Sequence, residues 1–120
     1  MNSRFYTGSI KTKNDLEHIM QDDRLHNRIR RLALMDKVMT AREAAQLFRN
    51  GMTVGMSGFT RAGDAKALPL ALVERARDEP LSLTLITGAS LGNDSDGLMA
   101  NAGVVARRLP FQSDAALRRK

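Results

Sequence analysis

Apolar and polar side chains alternate from Met52 to Ser57, with Met52, Val54 and Met56 on one face and Thr53, Gly55 and Ser57 on the other. A period of two marks a strand. The alternation breaks at a glycine-bounded turn, Gly58 to Gly63, and gives way to Ala65–Leu72. These are helix formers, and the Pro69 among them is harmless only in a first helical turn. A strand, a glycine-rich loop and a helix start are how open α/β sheets build ligand sites at strand carboxyl ends. Leu68, Leu72 and Ala76 then share a face, which predicts a helix over about Leu68–Asp78, ended by Glu79-Pro80. Leu81–Thr87 alternates again and predicts a second strand. Strand, helix and strand of this length form a right-handed parallel unit, so Gly88-Ala89-Ser90-Leu91-Gly92 is expected beside Gly58–Gly63 on one edge.

Weaker patterns flank this centre. Thr40-Ala41-Arg42-Glu43 reads as a capping box, followed by the stripe Ala44, Leu47, Phe48 and by Gly51 as a left-handed stop. Upstream, Ile29, Leu32, Ala33 and Met35 suggest a helix or helical arm over 28–38. Residues 1–27 are read as a polar extension, partly disordered, with one short helix from Asp15. Downstream, Asn93–Asp96 opens a helix with Leu98, Met99 and Ala102 on its apolar side, and Val104–Leu109 is a third strand. Ser113 is placed to cap a last helix from Asp114, whose basic amphipathic pattern is still running at Lys120, which reads as truncation. The fold expected is α/β, a small parallel sheet with flanking helices.

At 120 residues, 42% hydrophobic and 27% charged, the chain matches one ordinary soluble domain. No run approaches the roughly 18 apolar residues of a membrane span, and no export signal opens the sequence, so a cytoplasmic setting without membrane attachment is expected. The lack of cysteine excludes disulfides, thiolate metal sites and a cysteine nucleophile. His18 and His26 have no third ligand at metal-site spacing, so no metal is expected. The formal charge of +6 raises the question of nucleic acid. From Val104 onward, however, Arg107, Arg108, Arg118, Arg119 and Lys120 face Asp114 alone, so most of the excess is a tail effect. It is read as a solvated helix face at a chain end, without specific nucleic-acid binding.

The glycine spacing excludes two nucleotide loops. A Walker A loop requires Lys then Ser or Thr after its second glycine, whereas Gly63 is followed by Asp64 and Ala65; no G-x-G-x-x-G occurs. A tight βα turn and a ligand loop both remain open for Gly58–Gly63 on spacing alone.

Three blocks, Gly51–Lys66 (GMTVGMSGFTRAGDAK), Leu85–Gly92 (LITGASLG) and Arg107–Asp114 (RRLPFQSD), resemble the amino-terminal part of acetyl-CoA hydrolases and succinyl-CoA:acetate CoA-transferases. These are glutamate-dependent CoA-transferases, and the similarity runs in order over Arg28–Lys120, a truncated amino-terminal domain. The resemblance implies a ping-pong reaction in which a glutamate becomes a glutamyl-CoA thioester and passes CoA to a second carboxylic acid or to water. It also places that glutamate beyond Lys120, leaving no catalytic residue in this chain and predicting the isolated chain to be inactive. Glu17, Glu43, Glu74 and Glu79 all lie away from the edge loops.

By the same resemblance, Ser90 and Ser113 match hydroxyl positions near the bound carboxylate or acyl group, and Gly58, Phe59, Thr60 and Gly63 match a loop of the active-site wall. Lys66 is a weaker candidate for a CoA phosphate. Ordinary roles stand beside each: Ser90 as a turn residue, Ser113 as a helix cap, Lys66 as a solvated side chain. The implied partners are an acyl-CoA, whose coenzyme A thioester is substrate, and a small carboxylic acid, with no tightly bound cofactor. Uncovered sheet edges predict self-association. The other reading is a noncatalytic remnant that binds a partner chain or an acidic polymer through its basic tail.

Overall fold

The computed structural model describes residues 14, 17, 21, 27–59, 62–91, 95–110 and 115–119. They divide into two compact units, Met1–Ala41 and Arg42–Lys120. Most of the expected polar extension lies outside the described residues.

In the first unit, the helical arm expected over 28–38 is a shorter 3-10 helix, Leu32–Lys37, with Met35 its buried residue. Leu32 and Leu34 are 54% and 49% exposed. With one side chain anchored, the segment gains little from packing, which supplies most helical stability. Its turns close by i→i+3 bonds, Leu34 N–H to the Arg31 carbonyl and Val38 N–H to that of Met35.

The second unit is built on a three-stranded parallel sheet in the order β1 (Thr53–Met56), β2 (Leu83–Thr87), β3 (Val105–Leu109). Helix α1 (Ala41–Gln46) begins where the capping box predicts, directly after buried Thr40. Helix α2 (Ala67–Arg75) connects β1 to β2, and α3 (Ser95–Asn101) connects β2 to β3. Pro69 is the third residue of α2, in its first turn and buried. A second 3-10 helix, Leu117–Arg119, stands where a longer α-helix was expected, and residues 111–114 before it lie outside the described residues.

Right-handed crossovers in a sheet ordered 1-2-3 place both connecting helices on one face, and burial agrees. Leu83, Leu85 and Val105 are at most 2% exposed and join Leu72 of α2 and Met99 and Ala100 of α3 in the core. The opposite face carries Ile86 and Leu109, each 47% exposed.

Three boundaries differ from expectation. Helix α1 ends at Gln46, short of the Gly51 stop, and Leu47 of its expected apolar stripe is 64% exposed. Helix α2 stops at Arg75, where i→i+3 closures replace its α-helical ladder, and not at Glu79-Pro80. The Arg75 guanidinium donates to the Ala45 and Phe48 carbonyls, both at 2.7 Å, at the end of α1. Residues 76–79 then turn tightly, with Arg77 N–H on the Glu74 carbonyl and Asp78 N–H on that of Arg75. Strand β2 starts at Leu83, because Ser82 N–H is taken by Asn50 Oδ1 at 2.7 Å and its carbonyl by Gly51 N–H at 2.8 Å.

Candidate functional site

Parallel pairing of Met56 with Thr87 brings the carboxyl ends of β1 and β2 level, so the loops that follow emerge side by side. Gly58, with φ of 153°, lies in backbone territory that only glycine enters readily. A Cβ there would stand 2.6 Å from Leu91 Cδ2 and 3.3 Å from the Asp64 backbone. Across the gap, a Cβ on Gly88 would meet the Gly58 carbonyl oxygen at 3.0 Å, and Ala89 N–H donates to that oxygen at 3.3 Å. The two glycines are therefore needed for close approach of two loops, which sequence spacing alone does not reveal.

Within the first loop, Phe59 and Ala62 exchange backbone hydrogen bonds of 3.1 and 3.0 Å. Phe59 is 66% exposed at the loop's entry. Gly63 supplies a left-handed residue, φ 65°, at its exit. Asp64 turns inward with its side chain fully buried, and Lys66 Nζ reaches its Oδ1 at 3.1 Å. Lys66, the candidate for a CoA phosphate, thus stands at the head of α2, largely exposed and paired with Asp64. Ser90 is half-buried in the turn after β2, on the same edge as Gly58, Phe59 and Gly63. Thr60 and Ser113 lie outside the described residues.

The second loop is held by groups that sequence reasoning missed. Arg108 and Asp96 form a buried ion pair, 4% and 3% exposed, with Arg108 NH1 on Asp96 Oδ1 at 2.6 Å and NH2 on Oδ2 at 3.3 Å. Arg108 NH2 also donates to Thr87 Oγ1 at 2.8 Å and to the Ala89 carbonyl at 3.0 Å. The Thr87 hydroxyl donates to that same carbonyl, and Asp96 Oδ2 accepts Leu91 N–H at 2.8 Å. One guanidinium thereby ties the end of β2, the Gly88–Leu91 turn and the first turn of α3 to β3.

Reading Arg108 as part of a solvated basic tail is therefore wrong, and the register explains why. Leu83 pairs with Val105 but Thr84 pairs with Arg107, so β3 carries one extra residue, Ala106. A one-residue slip exchanges the faces of a strand. Past Ala106 it is Arg108, opposite buried Leu85, that points to the helices, while Arg107 stays exposed. Among the described residues no three His, Cys, Asp or Glu side chains gather as a metal site.

The edge thus combines two interlocked glycine turns, a half-buried hydroxyl and a buried ion pair that supports them. Residues 21–120 match the model of the acetyl-CoA hydrolase/transferase N-terminal domain. The chain belongs to this family. It is 46% identical over 95 residues to the succinyl-CoA:acetate CoA-transferase of Clostridium kluyveri, covering 78% of this chain and 18% of that protein. Similarity to the propanoyl-CoA:succinate CoA transferase of Escherichia coli is 40% over 87 residues, 68% of this chain and 18% of that one. The acetyl-CoA hydrolase of Candida glabrata is 37% identical over 92 residues, 73% of this chain and 17% of the relative. The chain spans less than a fifth of the length of these curated relatives. As a member of the acetyl-CoA hydrolase/transferase family, it carries the two glycine turns within the matched region.

Proposed function

We propose that this chain is the amino-terminal portion of an acyl-CoA:carboxylate CoA-transferase or acetyl-CoA hydrolase, and that its carboxyl edge forms one wall of the acid and acyl site. The observation that carries this reading is the interlocking of the Gly58 and Gly88 turns in a chain of this family, which leaves Ser90 on that edge. Ser90, together with Ser113, would donate a hydrogen bond to the bound carboxylate. A hydroxyl holds the acid without adding charge, as suits a site that binds a carboxylate and must release its thioester.

The glutamate that accepts CoA as a thioester, and passes it to a second carboxylate or to water, lies outside these residues in this reading. Lys66, the other edge cation, is already matched by Asp64, which makes it an adjunct to CoA binding at most. The noncatalytic reading loses ground because Arg108 is spent on an internal pair and withdrawn from the basic tail.

The test is a chimera in which residues 28–120 replace the matching segment of the Clostridium kluyveri relative. Turnover of succinyl-CoA with acetate, absent from the 120-residue chain alone, is the expected result. A chimera that folds like its parent and does not turn over would overturn the assignment, as would thioester cleavage by the isolated chain that depends on one of its own residues.

A further inference from the structure

We infer that Arg108 and Asp96 are positioning residues that hold the Gly88–Leu91 turn, and through it Ser90, in the geometry needed to receive a carboxylate; this rests on the acid-site reading above. Stability alone does not account for the pair. A buried ion pair is often no more stabilising than well-packed apolar residues of similar volume, and this one leaves Arg108 Nε buried without a partner. What the pair does provide is direction.

Four acceptor atoms surround the guanidinium: both Asp96 oxygens, the Thr87 hydroxyl and the Ala89 carbonyl of the residue just before Ser90. On its other side Asp96 takes the amide of Leu91, the residue just after Ser90. Ser90 is thus bracketed by two backbone groups, each fixed by one partner of the pair. Only a planar fork meets this set of acceptors at once; a lysine ammonium, as a point charge, cannot. The extra residue in β3 that brings Arg108 inward serves the same end, since shifts of this kind re-aim side chains beside functional sites.

The experiment compares Arg108→Lys, Ser90→Ala and the double variant. In the 120-residue chain, Arg108→Lys should speed hydrogen exchange at the Leu91 amide by roughly tenfold relative to that of Leu85, as expected when a turn loses a charge-assisted anchor. In the chimera, Arg108→Lys should lower kcat/KM for the carboxylate by about tenfold, leaving KM for the acyl-CoA unchanged. If Arg108 acts through Ser90, the double variant should be no worse than the more impaired single one, because the two changes are not additive. Exchange at Leu91 unaltered, equal loss towards both substrates, or full additivity would each overturn the positioning role. Unchanged acid kinetics in Ser90→Ala would instead overturn the acid-site reading, and the exchange measurement would still show whether the pair holds the turn.

Discussion

Asp96 is the residue on which the edge depends most. Its carboxylate meets a 4% exposed guanidinium and a buried amide, so Asp96→Ala strands a charge and a donor together. Breaking a buried pair from one side costs about 3–5 kcal/mol, and urea denaturation should show a loss in that range. Replacing both partners, with Asp96→Leu and Arg108→Met, should cost less than the sum of the single changes. The glycines make a second contrast. At Gly58 a methyl would collide with Leu91 on a backbone with φ of 153°, and Gly58→Ala should destabilise by about 2 kcal/mol or more. At Gly55 a methyl meets nothing within 4 Å, and Gly55→Ala should be neutral or stabilise by up to about 1 kcal/mol, from reduced unfolded-chain entropy. Thermal melts of the two variants should move apart accordingly.

Among the elements, the junction of α1 and α2 rests on Arg75, whose guanidinium closes two carbonyls at the end of α1 and pairs with Glu79 at 2.9 Å. The two carbonyl bonds are charge-assisted and partly buried, whereas the Glu79 carboxylate is 62% exposed. Arg75→Ala should therefore cost about 2–3 kcal/mol, and Glu79→Ala well under 1 kcal/mol; chemical denaturation of both variants checks the ratio. This junction also shows what the sequence could convey. Strands β1 and β2, their parallel direction and the helix between them were legible, because alternation in Met52–Ser57 and Leu81–Thr87 and the stripe Leu68, Leu72, Ala76 each report a local period. Arg75 was not, since its partners lie 27 and 30 residues away. Arg108 was hidden for a related reason: its inward direction depends on a register shift against β2, and pairing between strands leaves no mark on the period of either. The adjacency of the Gly58 and Gly88 turns was legible from the βαβ unit, but their contact through a carbonyl oxygen was not.

For the molecule as a whole, the face of the sheet away from the helices has a physical consequence. Parallel sheets are ordinarily covered on both sides. Here the register lines up Thr53, Thr84 and Arg107 in one row and Gly55, Ile86 and Leu109 in the next, and both large apolar residues of this surface are 47% exposed. Removing such side chains from water is worth roughly 25 cal/mol per Å², so the isolated chain should self-associate as its concentration rises. Sedimentation velocity at several loading concentrations is the direct measurement. Substituting Ile86→Thr and Leu109→Thr together keeps β-compatible side chains while removing much of the apolar surface, and should shift the distribution towards monomer. Salt gives an independent sign. If two such faces meet, each brings an exposed Arg107 to the interface, and screening of the repulsion between these like charges should strengthen association as ionic strength increases. Association through the basic residues and an acidic contaminant would weaken with salt instead. A compact monomer at every concentration, with the double threonine variant indistinguishable from it, would show that this face does not drive association.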